Sequence, residues 1–282
     1  MTESNTGLVW SAILPHGPGV VLEITQDPAL MAETRSAMET AGRRFAAARV
    51  DTLILLDPWL VHSQNKFAQR LLFRGEGSIT VGVAAWAGGE VGATRERFAC
   101  DVPLAEAILE AGRTAGFPVV PAPLENGELP LVWGAMIPLW FLLHPLPPPR
   151  PQLVVIAPNA AVPREALIQF GGMLAQTAAA AGRRVALVAS ADHGHTHDRG
   201  HPRFGYSPAA AEYDALYCEA VRANRLADLI SVGDEMLVDS WADSLWVTLV
   251  LAGALKAAPM RVDFLSYAVP SYYGMAVALF DR

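Results

Sequence analysis

Three histidines stand in the same local setting. The apolar run from Leu8 to Leu14 leads into Pro15-His16-Gly17-Pro18-Gly19. Leu53 to Leu56 leads into Asp57-Pro58-Trp59-Leu60-Val61-His62, and Val185 to Val188 leads into Ala189-Ser190-Ala191-Asp192-His193-Gly194-His195. Short apolar runs bounded by turn residues fit buried strands, so each histidine falls in the loop beyond a strand's carboxyl end. Open α/β sheets bind their ligands there. Neutral imidazole is a common ligand for iron and zinc, and it also carries protons near neutral pH. One histidine in such a place is ordinarily a surface or core residue. Three of them point to a shared crevice, although the pattern by itself names neither a metal nor a reaction.

The third stretch is richer, with His193, His195, His197 and His201 in close succession. In an extended chain His193, His195 and His197 would share a face and could form a metal site of their own. A solvated polar loop with one functional histidine is the preferred reading, because no carboxylate or cysteine recurs with them at ligand spacing. A metal held by two neutral histidines usually takes a carboxylate as well. Glu235, Asp239 and Asp243 are spaced four apart and would share one face of a helix. The stretch from Asp243 to Leu255 reads as a buried helix, and acidic residues at a helix start are also ordinary partners of its dipole.

The elements that must position these residues alternate along the chain. Asp51 to Leu56 and Leu153 to Ile156 join the strand candidates, and Pro28 to Ala48, Leu104 to Ala115 and Arg164 to Ala181 read as helices. Alternating strands and helices predict an α/β fold with a central, largely parallel or mixed sheet flanked by helices. The Pro145 to Pro151 stretch holds five prolines in seven residues. It reads as a stiff surface crossover, not a domain boundary, because the alternation resumes at Leu153, so residues 1–282 form a single domain. The apolar stretch from Leu131 to Leu143 is too short to span a bilayer, which needs about 20 apolar residues, and it reads as buried. The net charge of −7, without clustered Lys and Arg, argues against a nucleic-acid partner. Cys100 and Cys218 lie far apart and outside any Cys-x-x-Cys, which fits two small buried hydrophobes in a reducing cytoplasm. The N-terminus lacks the basic and apolar regions of a secretory signal.

These motifs, in their order, resemble the catalytic subunit of the type III extradiol ring-cleavage dioxygenases, the superfamily of protocatechuate 4,5-dioxygenase and the Memo-like proteins. The likeness rests on Leu14-Pro15-His16-Gly17, the Asp57 to His62 loop and Ser190-Ala191-Asp192-His193-Gly194-His195. Gly205-Tyr206, Glu212-Tyr213-Asp214 at a turn into a helix, Asp243-Ser244-Leu245-Trp246 and Ala252-Gly253-Ala254-Leu255 extend it to about residue 256. No motif is highly specific alone. The resemblance implies Fe(II), or another divalent metal such as Zn or Mn, on His16, His62 and a carboxylate. The helix that usually supplies a Glu has none in this chain, so Asp243 is the first candidate and Asp239 the second. His195 matches the family's acid–base histidine. Where family members often carry Asp-His-Gly ahead of a Pro-Leu segment, this chain reads Val132-Trp133-Gly134, with Pro138-Leu139 following. Trp133 then replaces a polar helper, which puts ring cleavage in question, unless it is simply a core residue.

The resemblance further implies a catechol or 2-aminophenol substrate and O2. Two histidines and a carboxylate leave three positions for a bidentate substrate and O2. It implies a homo-oligomer, or a hetero-oligomer with a small subunit, and the shortness of the apolar stretch argues against a membrane partner. Two rival readings keep the scaffold and change the chemistry. A zinc hydrolase would use the same residues with an activated water. A Memo-like protein would bind metal or partners without ring cleavage.

Overall fold

The computed structural model describes residues 6–58, 77–84, 86–91, 94–124 and 128–282. His62 lies outside the described residues. The strands are β1 (Gly7–Leu14), β2 (Thr52–Leu56), β3 (Ile79–Val81), β4 (Trp86–Val91), β5 (Thr94–Phe98), β6 (Val119–Pro121), β7 (Leu129–Pro130), β8 (Gln152–Pro158), β9 (Arg184–Ser190), β10 (Arg261–Ala268) and β11 (Met275–Asp281). Eight of them form one sheet in the order β10-β11-β1-β9-β2-β8-β3-β6, and β5-β4-β7 form a small second sheet. β1, β9, β2 and β8 run parallel. They are buried along almost their whole length, as parallel strands covered on both faces must be. β11 runs antiparallel to β1, and β3 antiparallel to β8. The sheet is therefore mixed but mostly parallel. β2, far ahead of the Pro145 to Pro151 stretch, pairs with β8 directly after it, so the sheet continues across that stretch.

The helices are α1 (Ala32–Ala48), α2 (Val102–Thr114), α3 (Trp133–Leu142), α4 (Arg164–Ala180), α5 (Pro208–Arg222), α6 (Asp234–Ser240) and α7 (Leu245–Ala257). α1 and α3 pack on one face of the sheet, and α2, α4 and α7 on the other. The buried stretch expected over Leu131 to Leu143 is α3. No helix among the described residues is long and apolar enough to cross a membrane. Cys100 and Cys218 are free and buried, and burial pushes the Cys218 thiol up to about 12.

α7 has a demanding contact with α4. A Cβ on Gly171 would collide with the Val250 carbonyl, lying 2.8 Å from its carbon, and a Cβ on Gly253 would lie 2.7 Å from the Ile168 carbonyl carbon. The two backbones approach closely because each helix places a glycine where the other presents a carbonyl. Gly171→Ala should therefore lower stability by about 1–3 kcal/mol, the cost of overpacking a core. The urea midpoint should fall with the slope unchanged. On its other side α7 is tied to α5 by two hydroxyl pairs one helical turn apart, Tyr213–Ser244 at 2.7 Å and Tyr217–Thr248 at 2.6 Å. These contacts fix the start of α7, and with it Asp243.

Two expectations need correction. Glu235, Asp239 and Asp243 do not share a helix face. α6 ends at Ser240, and Trp241 takes a left-handed conformation at φ 54°, so Asp243 lies between two helices. The Glu212 to Asp214 segment is not a turn into a helix but lies within α5.

Candidate functional site

The carboxyl ends of β1, β2 and β9 open at one edge of the sheet and deliver His16, Asp57 and the Ser190 to His195 loop to the same place. His16 is buried, and its partners define its orientation. Its backbone N–H donates to Asp192 Oδ1 at 2.9 Å. Its Nδ1 lies 2.9 Å from Ser190 Oγ, and that hydroxyl donates onward to the Gly134 carbonyl. A serine that gives its only proton to a carbonyl must accept from the imidazole. The proton of neutral His16 thus sits on Nδ1, and the Nε2 lone pair faces the crevice.

The free carbonyl traces to a proline. Gly134 lies four residues before Pro138, which sits inside α3 and has no N–H to give it. The vacated acceptor takes Ser190 instead. Such outer hydrogen bonds orient metal-ligating imidazoles, and losing one typically costs about 10–100-fold in metal affinity. Ser190→Ala should weaken metal retention by about that factor with the fold intact, as read by competition with a chelator.

His16 Nε2 faces two buried carboxylates, with Asp243 Oδ2 at 3.3 Å and Asp192 Oδ2 at 3.5 Å. The other Asp243 oxygen accepts the Asp192 backbone N–H at 3.1 Å, which sets the two carboxylates side by side. Asp57 is buried within electrostatic reach. Burial alone would lower the His16 pKa, but Asp192, Asp243 and Asp57 outweigh it and raise it to about 9. Burial, with Asp243 adding to it, lifts the Asp192 carboxyl above its ordinary range while His16 pulls the other way. A locus where two carboxylates hold a proton on an imidazole attracts any cation.

The donor set fits a divalent ion. Donors about 2.0–2.2 Å from one metal stand roughly 3.0–3.5 Å from each other, and the His16–Asp243 separation of 3.3 Å falls in that range. Among the described residues no three His, Cys, Asp or Glu side chains form a complete metal cage. The further donor that the sequence offers, His62, lies outside those residues. Asp239 is exposed on α6 and contributes only its backbone carbonyl, to Thr196 Oγ1 at 3.0 Å. The structure brings Asp243 to His16 and leaves Asp239 out.

The histidine-rich loop is buried from Ala191 to Thr196, against the expectation of a solvated one, while His197 and His201 are half-buried. The His193 N–H donates to the Gly274 carbonyl at 2.9 Å, and the Gly274 N–H donates to the Gly194 carbonyl at 3.0 Å. Asp214 on α5 accepts from the Gly194 N–H at 2.7 Å, from Tyr267 Oη at 2.6 Å and from His197 Nε2 at 2.9 Å. His193 lies against Tyr217, neither ring nitrogen has a hydrogen-bond partner among the described residues, and burial lowers its pKa to about 4. His201 packs at a tilt against Tyr272, with ring centroids 4.0 Å apart. His195 is buried among Phe204, Tyr272 and Tyr273, with ring centroids 5.4–6.0 Å away, and lies within electrostatic reach of Asp192. It is thus the loop histidine set among aromatic rings beside the carboxylates.

Trp133 is not a core residue. It opens α3 and is 59% exposed, one residue from the carbonyl that holds Ser190. Asp192, Asp57, Ser190 and Tyr273 went unassigned in the sequence. The signal that singled out His16, a polar residue just past a buried strand, applied equally to Asp57 and Asp192.

A family model described as the catalytic LigB subunit of aromatic ring-opening dioxygenase matches residues 11–278. The chain belongs to this LigB family. The match spans the carboxyl ends of the three strands that converge on the crevice, as well as α7 and most of the C-terminal hairpin. Among solved structures, an uncharacterized protein, JW3007, from Escherichia coli K12 is similar with a TM-score of 0.60 at 13% identity, covering 96% of this chain and 99% of that one. At that identity the likeness speaks for the fold alone. No curated protein matches the chain in sequence. The LigB family is one of extradiol dioxygenases, and that family implies an aromatic substrate and O2.

Proposed function

We propose that the chain is an Fe(II)-dependent dioxygenase that opens a catechol or 2-aminophenol ring with O2. The observation that carries the reading is the aim of His16, whose Nδ1 is committed to Ser190 while Nε2 faces buried Asp243. His16, His62 and Asp243 would hold the metal, with Asp192 beside them. Bound Fe(II) would supply open positions at which the two adjacent heteroatoms of the substrate and O2 meet. Zn or Mn would suit the same donors, so activity, not binding, identifies the working metal.

His195 takes the proton of the substrate hydroxyl and returns one as the ring opens, a role suited to an imidazole. Its loop is pinned by Asp214 and by Gly274, which keeps the imidazole in place while charge moves. The rings of Phe204, Tyr272 and Tyr273 pack around His195 and would give a flat substrate an aromatic wall. The whole chain acts as one domain.

Anaerobic reconstitution with Fe(II), followed by O2 and a panel of catechols and 2-aminophenols, tests the reading. The expected result is O2 uptake with a yellow ring-opened product. Tight zinc with ester hydrolysis and no O2 uptake would transfer the assignment to a hydrolase. A protein that retains no metal would leave a binding scaffold of the Memo-like kind.

A further inference from the structure

We propose that Tyr273 is a further catalytic residue, its hydroxyl donating a hydrogen bond to the substrate oxygen that gains negative charge beside His16. This deepens the dioxygenase reading and rests on it.

The placement begins with a glycine. Gly17 directly follows His16, and a Cβ there would collide with the phenol, lying 2.5 Å from Tyr273 Cε2 and 2.7 Å from Cζ, with the hydroxyl oxygen nearer still. The hydroxyl end of the ring therefore rests on the backbone beside His16, a seat that only glycine leaves open. The ring lies nearly parallel to His195, with centroids 5.6 Å apart and planes at 25°. Tyr272 packs against it edge-on at 4.7 Å. Tyr273 thus stands between the histidine that faces the carboxylates and the histidine that moves the proton.

Its backbone is anchored on both sides. The Tyr272 carbonyl accepts the His197 N–H at 3.2 Å, and Gly274 exchanges hydrogen bonds with His193 and Gly194. The turn that carries the phenol and the loop that carries His195 are one hydrogen-bonded unit, so the phenol keeps its position relative to His195. A buried donor held where charge develops stabilises that charge without reorganising, which is the physical basis of an oxyanion hole. A phenol is a donor at neutral pH, unlike the three carboxylates around His16. The Tyr273 hydroxyl hydrogen-bonds with Ser271, an exposed residue, and lies within electrostatic reach of Asp192 and Tyr272.

Tyr273→Phe keeps the ring and removes the donor. In the Fe(II)-loaded protein kcat should fall about 10²–10³-fold, the usual loss for one such donor, with KM, metal content and melting temperature nearly unchanged. A second readout needs no turnover. In anaerobic titrations with 4-nitrocatechol, whose visible spectrum reports its ionisation, the bound ligand should ionise roughly 1–2 pH units higher in Tyr273→Phe, the equivalent of one hydrogen bond to a charged group. Gly17→Ala, which pushes the phenol from its seat, should give the same two changes, and the double variant should lose no more than the worse single one. If Tyr273→Phe turns over like the wild type and leaves the nitrocatechol ionisation in place, the inference is overturned and the dioxygenase reading survives. If the wild type neither binds 4-nitrocatechol nor opens any catechol, the reading falls and takes the inference with it.

Discussion

Asp243→Ala should release the metal, and Asp239→Ala should keep it. The two aspartates are one helical turn apart in sequence and look alike there, but only one belongs to the cluster. Asp243 is buried, gives one oxygen to the Asp192 N–H and turns the other toward His16 Nε2 at 3.3 Å. Asp239 is exposed. Removing Asp243 deletes a charged donor and also leaves a buried N–H unpaired, which frees Asp192 to move. Outer-shell losses already cost about 10–100-fold in metal affinity, so loss of a direct donor should exceed about 100-fold. Metal content after dialysis and a competition titration would measure it. Retention in Asp243→Ala together with loss in Asp239→Ala would move the role to Asp239. Retention in Asp243→Ala with loss in Asp192→Ala would make Asp192 the carboxylate.

The strands that carry the site were legible because each is an apolar run too long for a turn and too short for a helix. The structure extends β1, β8 and β9 by one to three residues, begins β2 one residue later than expected, and keeps their order. β3, β6 and β7 are two or three residues long and leave no periodicity to read. β11 is as apolar as β1, but its pairing beside β1 joins residues at the two ends of the chain, which no local pattern encodes. The same divide runs through the site. His16 and Asp243 stood out by residue type. The relay behind His16 did not, because Pro138 acts on Ser190 through a carbonyl that only packing brings near. Tyr273 was hidden in a polar turn, and its meaning comes from the pairing of Met275 with Asp192 at the end of β9. Trp133 illustrates the converse. Its position matters in the resemblance, yet only the structure distinguishes an exposed rim residue from a buried one.

His195→Ala should keep its iron and lose most of its turnover. The outcome separates a proton carrier from a ligand, because replacing a ligand costs metal affinity and replacing a base costs rate. The surroundings favour the base. His195 packs among Phe204, Tyr272 and Tyr273, and its Nδ1 has no hydrogen-bond partner among the described residues. An imidazole with an uncommitted nitrogen in an aromatic enclosure can take a proton from a hydroxyl placed beside it. General acid–base help is typically worth about 10²–10⁴ in rate, so kcat on the best substrate should fall within that range. Its neighbours provide the control. His197 is engaged with Asp214, and His193 is buried against Tyr217, so alanine at either should act through stability and the position of the loop. Loss of iron in His195→Ala would make it a ligand and require the donor set to be redrawn. Full activity in His195→Ala, with a collapse of kcat but not of folding in His193→Ala, would transfer the proton to His193.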